Sequence, residues 1–236
     1  MGKSNTETYN YAKQFKGKGG AIFRKYCGLP SGTAYCDAFV TYIFHHTDNA
    51  KLFCDGKKQT YCPTTIKIVK KEMAQIPLYL AMPMDVIFFD WDRNGNPNHI
   101  GFVKARKSTS EVYTIEGNTN GGIVAEKTRP AKYVQGIFRP HFKASFTLKK
   151  LAVDGECGYN TIAGLQKALG GCAVDGILGI ATVKRLQKYL AITQDGQWGK
   201  GTSKAVQKLV GVTQDGEFGP ASVKALQNWI NKKVYP

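Results

Sequence analysis

Along the first half of the chain, the pattern of apolar positions changes from one typical of helices to one typical of strands. Residues 37–44 are almost continuously apolar, which predicts a buried helix that begins at Cys36. Residues 64–73 predict a second helix, because Pro63 stands just before its first turn, where proline is favoured. Short runs rich in Val, Ile and Phe follow, separated by Asn and Gly turns. These runs predict strands over 86–89, 99–103, 112–115 and 123–124.

Helices followed by strands favour an α+β domain with an antiparallel sheet, which we expect over residues 1–144. Residues 141–150 also show some alternation of apolar and polar positions. We therefore expect a last strand there, running into a short linker before residue 151.

The last third of the chain repeats itself four times. The repeats start with Asp-Gly at 154, 175, 195 and 215, so their starts are 21, 20 and 20 residues apart. Each carries a second Gly, then Thr or Ser, and then an apolar residue followed by Gln. These pairs are Leu165-Gln166, Leu186-Gln187, Val206-Gln207 and Leu226-Gln227.

Each repeat has the composition of a tight loop followed by a short helix. Asp-Gly favours a turn, and the Thr or Ser is expected to be the N-cap of the helix, of about three turns, that comes next. One such helix cannot bury its apolar face alone, so the four should pack together. The sequence therefore predicts a small all-α domain over residues 151–236.

The chain is strongly basic, with a formal net charge of +16. Residues 1–150 hold 23 Lys and Arg against 11 Asp and Glu, and residues 151–236 hold 10 against 6. A basic protein is attracted to polyanions, a class that includes nucleic acid and the anionic polymers of bacterial walls. Recognisable nucleic-acid-binding motifs are missing from the sequence, which disfavours a nucleic-acid partner.

Six cysteines stand at 27, 36, 54, 62, 157 and 172, without a CxxC pair or the spacing of a zinc site. Five of them are expected to be small buried hydrophobic residues. Residues 1–20 lack the apolar core of a secretory signal, and no run approaches the roughly 20 apolar residues of a membrane span. We therefore expect synthesis in the cytoplasm and no membrane insertion, so that any action outside the membrane requires release by another factor.

Cys36 is the candidate nucleophile, because a thiol at a helix N-terminus has a lowered pKa. Its base must come from four histidines, at 45, 46, 99 and 141. His45 and His46 lie more than two turns along the same helix, whereas His99 begins a strand after a turn. Glu116 and Asn118 end the next strand, and either could orient the imidazole of His99.

Four segments together resemble the successive motifs of the CHAP family, the cysteine, histidine-dependent amidohydrolases/peptidases. They are Tyr35-Cys-Asp-Ala-Phe-Val40, Met84-Asp-Val-Ile-Phe-Phe-Asp-Trp91, Asn98-His-Ile-Gly-Phe-Val103 and Ile115-Glu-Gly-Asn118. Their order and spacing agree over about residues 10–140. The resemblance implies a papain-like fold, Cys36 as nucleophile, His99 as general base, and Glu116 or Asn118 as the orienting group. It also implies cleavage of an amide bond in peptidoglycan without a cofactor.

The repeats resemble the helical peptidoglycan-binding domains of wall hydrolases over residues 154–230. Cys157 and Leu178 replace the usual aromatic residue in the first two repeats. If that position contacts glycan, Trp198 and Phe218 are the substrate-binding residues; the alternative is that all four positions are core. Two aromatic residues of the CHAP-like motifs, Tyr35 and Trp91, are further candidate substrate contacts.

A chain with both parts resembles a phage endolysin, either an N-acetylmuramoyl-L-alanine amidase or a peptide endopeptidase. Its expected partners are peptidoglycan and anionic wall polymers. The alternative is a catalytically inactive phage structural protein that binds walls.

One segment has the composition of a metal site. Residues 90–95 match the opening of a calcium-binding loop, but the twelfth position is Gly101 instead of Glu. The acidic loop that holds calcium in some CHAP domains also has no counterpart in residues 27–35, which contain no carboxylate. We therefore expect an ordinary polar turn at 90–95 and predict no metal site.

Overall fold

A computed structural model describes residues 2–144 and 146–236. The chain divides into two compact units, Met1–Met73 with Ala81–Phe142, and Ala74–Leu80 with Lys143–Pro236. The division after residue 142 lies close to the predicted domain boundary. The sequence did not predict that residues 74–80 belong to the second unit. Local patterns along the chain do not reveal that a short segment packs with a different unit from its neighbours.

Within the described residues, the first unit contains four α-helices and most of the strands. The helices are α1 (Asn5–Lys13), α2 (Ala21–Cys27), α3 (Cys36–His45) and α4 (Cys62–Glu72). The strands of the chain are β1 (Ala74–Ile76), β2 (Val86–Phe89), β3 (His99–Arg106), β4 (Glu111–Thr119), β5 (Ile123–Pro130) and β6 (Val134–Arg139). Short 3₁₀ turns occupy Ala50–Leu52, Cys54–Gly56, Leu78–Leu80 and Ala131–Tyr133.

The strands of the first unit form an antiparallel sheet in the order β6-β2-β3-β4-β5. The predicted mixture of helices and antiparallel sheet is confirmed, and each predicted strand from 86 to 124 lies within an observed one. The register sets Phe89 opposite His99 and Glu116 opposite Ala125. A register shift between Glu116 and Thr119 then bends the end of β4.

Helix α3 is the buried centre of this unit, as its apolar sequence predicts. All of its residues from Cys36 to Phe44 are buried. Phe39 and Phe44 pack edge-on against Phe102 of β3, with ring centroids 6.1 and 5.4 Å apart. Burial of these rings fixes α3 against the sheet, so the start of the helix has a defined place beside β3.

The predicted helix at 64–73 is present as α4, which starts two residues earlier and includes Pro63 in its first turn. The predicted strand over 141–150 is wrong: the described residues 141–144 and 146–150 form none, and β6 ends at Arg139. Pro140 follows and has no N–H with which to continue the ladder. Arg139 instead forms a buried ion pair with Asp85, at 2.8 Å.

The second unit contains α5 (Tyr159–Leu169), α6 (Ile180–Tyr189), α7 (Lys200–Val210) and α8 (Pro220–Val234), one for each repeat. The predicted N-caps are wrong. The N-caps are glycines in extended conformation, at 158, 179, 199 and 219. The Thr or Ser is the third residue of each helix, and in the first three repeats its hydroxyl donates to a carbonyl of the preceding loop.

The repeated Gln links each helix to the loop of the next repeat. The side chain of Gln166 donates to Asp175, to the carbonyl of Ile177 and to Thr182, and it accepts from the N–H of Gly176. The same set of bonds recurs at Gln187 and Gln207.

Gln227 of the last repeat makes these bonds to the first loop, around Asp154 and Gly155. The four repeats therefore form a closed circuit, and the first and last are joined as the others are. Within the described residues, none of the helices combines the length and the apolar character needed to span a bilayer.

Candidate active site

The thiol of Cys36 lies at the first residue of α3. Tyr35 precedes it as an N-cap with non-helical backbone angles. The first N–H groups of a helix have no partner within the helix, and they present positive charge to a group at this position. Cys36 is buried but for 7% of its surface, so the thiol is held in a defined place with a narrow exposure.

His99 is the first residue of β3 and lies beside this thiol. Its Nε2 is 2.8 Å from Oε2 of Glu116, which leaves Nδ1 to serve Cys36. A hydrogen bond between Cys36 and His99 contributes to the pKa of both groups. The structure thus brings together three of the residues that the sequence predicts for chemistry.

Glu116 is fully buried and accepts hydrogen bonds from three side chains. Thr114 donates to Oε1 at 2.5 Å, and Arg129 donates to Oε1 at 2.8 Å and to Oε2 at 2.5 Å. Burial alone would raise the pKa of Glu116, but the hydrogen bonds and charges of Arg129 and His99 hold it at about 2. The carboxylate is therefore ionised at neutral pH and fixed in orientation toward the imidazole.

The pKa values of Cys36 and His99 move in opposite directions. The hydrogen bond from the Cys62 thiol lowers the pKa of Cys36 most; burial opposes it, and His99 and the N–H of Ile100 lower it further. Burial would lower the pKa of His99, but Cys36 and Glu116 raise it to about 9. The arrangement favours a thiolate paired with an imidazolium at neutral pH.

Cys62 and Asp37 adjoin the thiol and were not predicted from the sequence. The Sγ atoms of Cys62 and Cys36 are 3.8 Å apart, and contact with Cys36 raises the pKa of Cys62. Asp37 accepts a hydrogen bond from Thr65 of α4 at 2.5 Å, and burial raises the pKa of this carboxyl group to about 7. Asp37 thus ties the start of α3 to the first turn of α4, where Cys62 lies.

Trp91 lies next to His99, at 5.9 Å between ring centroids. Its ring stacks on Phe89 at 4.7 Å, and the guanidinium of Arg129 lies 4.7 Å from its centroid. The ring is half-buried, so part of it remains available beside the imidazole. Its expected role as a substrate contact stays a prediction.

Two residues of the first unit, Tyr35 and Asn118, do not lie where their predicted roles require. Tyr35 is fully buried; it stacks on Phe23 and donates its hydroxyl to the carbonyl of Gly122, at 2.9 Å. We therefore correct its assignment as a substrate contact to a core residue that supports the start of α3. Asn118 lies in the irregular end of β4 with a positive φ of 58°, and its backbone N–H bonds to the Tyr35 hydroxyl. It is Glu116 that reaches His99.

The aromatic residues predicted to bind glycan in the repeats are also buried. Trp198 is 1% exposed and Phe218 is 3% exposed, with ring centroids 5.1 Å apart. The indole N–H of Trp198 donates to Ser203 at 3.1 Å. Neither ring offers a surface to a polymer, so their assignment as substrate-binding residues is corrected to the alternative, a core position. Cys157 and Leu178 are buried in the same way.

The segment that resembles a calcium loop is a hydrogen-bonded turn. The carboxylate of Asp90 accepts from the backbone N–H groups of Asn94 at 3.2 Å and Gly95 at 2.7 Å. Asp92 accepts from the side chain of Asn98 at 3.0 Å. Both carboxylates therefore serve to fold the polar turn just before His99.

Arg129 is a further residue of the candidate site, and the sequence did not predict it. It lies on β5 opposite Val112 of β4, and Glu116 lies opposite Ala125. These positions share one face of the hairpin, since side chains on a strand alternate. Counting outward from the turn at 120–122 would pair Arg129 with Tyr113, on the face opposite to Glu116, and only the register shift between Glu116 and Thr119 brings the two side chains to one face. The sequence therefore carries no signal for Arg129, and it carries none for Cys62.

Compared with models of protein families, with curated proteins and with solved structures, the chain shows no significant match.

Proposed function

We propose that this chain is a peptidoglycan hydrolase that cleaves an amide bond with Cys36 as its nucleophile. The observation that carries the proposal is the buried series of contacts from Cys36 to His99 and from His99 to Glu116. A structural cysteine has no need of a helix N-terminus, a histidine and a fixed carboxylate together.

Each residue has a distinct role in the proposed reaction. The Cys36 thiolate attacks the amide carbonyl, and N–H groups at the start of α3 stabilise the oxyanion that forms. His99 gives its proton to the leaving amine and then takes one from the water that hydrolyses the thioester. Glu116 holds the imidazole in orientation through Nε2, at 2.8 Å.

The order of these elements supports a papain-like CHAP domain for the first unit. The nucleophile begins a buried helix, and the histidine begins a strand of an antiparallel sheet. The four repeats support an all-α wall-binding domain, so that the whole chain is an endolysin acting on a bacterial wall. Whether it is an amidase or an endopeptidase depends on the substrate groove.

Wall clearing by a Cys36→Ala variant tests the proposal. The parent chain should lower the turbidity of purified Gram-positive walls, whereas the variant should sediment with the walls without clearing them. Cys172→Ala is the control, because Cys172 is a half-buried thiol of the second unit. If the parent binds walls and leaves their turbidity unchanged, the chain is an inactive wall-binding protein instead.

Mass spectrometry of the products identifies the bond. A free lactyl group on muramic acid marks an amidase, and a new amino-acid terminus marks an endopeptidase.

A further inference from the structure

Charge is segregated in the repeats between helices and loops. All six acidic residues after position 150 lie in loops, at 154, 156, 175, 195, 215 and 217. All ten basic residues lie on α5, α6, α7 and α8, at 167, 184, 185, 188, 200, 204, 208, 224, 232 and 233. The helices therefore carry positive charge alone.

The loop aspartates are engaged inside the repeats. Asp154, Asp175, Asp195 and Asp215 each accept a hydrogen bond from a repeat Gln, at 2.6 to 2.8 Å. In contrast, nine lysines on the four helices are exposed. The surface that the helices offer to a partner is thus cationic and suits an anionic polymer.

Two aromatic side chains meet on this cationic surface. Tyr189 ends α6 and Trp229 lies on α8, with ring centroids 5.8 Å apart. Lys233, one turn beyond Trp229, donates to the Tyr189 hydroxyl at 2.8 Å, and its Nζ lies 4.4 and 5.1 Å from the centroids of Tyr189 and Trp229. We call these three residues the aromatic–lysine cluster.

The cluster is accessible, unlike Trp198 and Phe218. Tyr189 is 37% exposed, Trp229 is half-buried, and Lys233 is exposed. An aromatic ring with a polar edge offers an apolar face and a hydrogen-bonding rim. An ammonium group has three donors, of which Tyr189 takes one.

We propose that the aromatic–lysine cluster binds a sugar ring that carries a neighbouring carboxylate, as in a peptidoglycan strand with its stem peptide. The aromatic faces pack on the apolar face of the sugar, and Lys233 pairs with the carboxylate. A sugar-phosphate wall polymer offers related chemistry. We commit to peptidoglycan because the cluster holds a single ammonium group between two rings. This arrangement suits a ligand in which single negative charges are separated by sugar rings. The choice of ligand rests on the proposed function.

Binding to two wall preparations tests the site. The full chain carries Cys36→Ala so that walls stay intact, and its sedimentation is measured with untreated walls and with peptidoglycan stripped of wall polymers. Trp229→Ala and Lys233→Gln should each weaken binding to stripped peptidoglycan by about tenfold, the usual effect of truncating a central contact. Both side chains lie at the surface, and an unchanged melting temperature checks that the fold is intact.

A matched pair of variants in the first unit is the control. Tyr113 is also 37% exposed, and Lys107 lies 5.7 Å from its ring centroid. Tyr113→Ala and Lys107→Gln should bind stripped peptidoglycan as the parent does. The site is overturned if the cluster variants bind stripped peptidoglycan as well as the control variants do. It is also overturned if the cluster variants lose binding only to untreated walls, because that result would assign the cluster to the wall polymer.

The parent chain with Cys36 intact is assayed for clearing in parallel. If the parent clears walls and the cluster variants bind normally, the proposed binding site is refuted and the catalytic proposal stands. If binding depends on the cluster but the parent does not clear walls, the catalytic proposal is refuted and the binding site stands.

A second, independent inference comes from the two thiols in contact. Cys36 and Cys62 begin α3 and α4, and their Sγ atoms are 3.8 Å apart. A disulfide needs about 2.05 Å between the sulfur atoms. The two sulfur atoms would therefore have to approach by about 1.8 Å, and both cysteines are free in the structure.

We infer that a peroxide converts Cys36 and Cys62 into a reversible disulfide that blocks the nucleophile. The Cys36 thiolate attacks one oxygen of hydrogen peroxide and becomes a sulfenic acid, and the other oxygen leaves as hydroxide and takes a proton to become water. The Cys62 sulfur then attacks the sulfenic sulfur, its proton goes to the departing oxygen, and a second water leaves. Two thiols are oxidised and one peroxide is reduced.

Mass spectrometry of the peroxide-treated chain tests the disulfide without reference to activity. A peptide linked through Cys36 and Cys62 should form, with a loss of about 2 Da, and dithiothreitol should reverse it. Cys62→Ser should instead give no linked peptide and should carry added oxygen at Cys36, as the sulfenic acid or the sulfinic acid that follows it. Cys54→Ser is the control, because Cys54 is a buried thiol elsewhere in the unit, and it should retain the link. Absence of the linked peptide in the parent chain, or its loss in Cys54→Ser, would refute the inference.

Discussion

At the scale of single residues, a buried carboxylate determines the charge state of the candidate site. Glu116 is enclosed by Thr114, Arg129 and His99, so it remains ionised in a place where an isolated carboxyl group would be neutral. This fixed negative charge favours the imidazolium form of His99. The acid–base behaviour of the site should therefore respond to Glu116 even though Glu116 does not contact the thiol.

Glu116→Gln should lower the pKa of His99, because one of the two groups that raise it loses its charge. Because the pKa of His99 is raised to about 9, its imidazolium form persists below about pH 9 and is lost above that value. The alkaline decline of kcat/KM for wall hydrolysis should thus move to lower pH in the variant, as a pH–rate profile would measure.

Glu126→Gln is the control for this prediction. Glu126 is also a carboxylate whose pKa is lowered to about 2 despite the opposing effect of burial, and it pairs with Lys16 at 2.8 Å. An equal displacement of the profile in both variants would contradict the specific role of Glu116.

Gly101→Ala should disturb the same carboxylate by contact. A Cβ atom at this position of β3 would lie 2.7 Å from Cγ of Glu116 and 3.0 Å from the carbonyl oxygen of Ile115. We expect a loss of about 1–3 kcal/mol in unfolding free energy, typical of overpacking, together with reduced kcat/KM.

Gly201→Ala is the matched control, because its Cβ would meet no atom within 4 Å apart from its chain neighbours and the backbone of its own helix. Denaturant unfolding followed on both variants measures the difference. Equal stability of the two variants would show that the neighbours of Gly101 adjust without cost.

At the scale of elements, the start of α3 and the start of β3 position Cys36 and His99 of the candidate site, and the repeated Gln joins the repeats of the second unit. Gln227 spans the greatest distance along the sequence, since it bonds Asp154, Gly155, Glu156 and Thr161 at the other end of the repeats. Because the last repeat bonds to the first, the array of four repeats has no free end at which its loops could separate.

Gln227→Ala should destabilise the second unit by about 3 kcal/mol, because several buried donors and acceptors lose their partner together. Asn228→Ala, at the neighbouring exposed position, should change stability by less than about 0.5 kcal/mol. Thermal unfolding of the two variants, followed by circular dichroism, measures the difference. Similar melting temperatures would mean that closure of the circuit contributes little to stability.

At the scale of the whole molecule, charge is the property that acts over the longest distance. The net charge is +16, and in the repeats the positive part lies on the helices. Salt screens such charges, with a Debye length of about 8 Å at physiological ionic strength. A protein attracted to an anionic wall by its net charge should lose affinity as salt rises.

Binding of the Cys36→Ala chain to untreated walls should therefore weaken steadily from low to high sodium chloride concentration. Binding to stripped peptidoglycan should weaken less, because fewer anionic groups remain and the aromatic contacts of the cluster are not screened. Sedimentation across a salt series measures both. Identical salt dependence on the two preparations would argue against a contribution from the wall polymers.

Local sequence patterns determined much of this protein. The continuous apolar run of α3, the strands from 86 to 124 and the four repeats were readable because side-chain periodicity within an element depends on near neighbours along the chain. Proximity of Cys36 to His99 and of His99 to Glu116 also agreed with expectation, as each stands at the start or end of a predicted element. The capping box of Ser4 and Glu7 that begins α1 follows an equally local pattern of sequence.

Only the tertiary structure decided the rest, because those features depend on residues far apart in sequence. It brought Glu116 instead of Asn118 to His99, placed Arg129 behind that carboxylate, and set Cys62 against Cys36. It also buried Tyr35, Trp198 and Phe218, three of the four aromatic residues expected to meet substrate, because the spacing of an aromatic residue in the sequence is the same whether its side chain points inward or outward. The closure of the repeats through Gln227 and the meeting of α6 with α8 at the aromatic–lysine cluster likewise depend on packing, which no local pattern encodes.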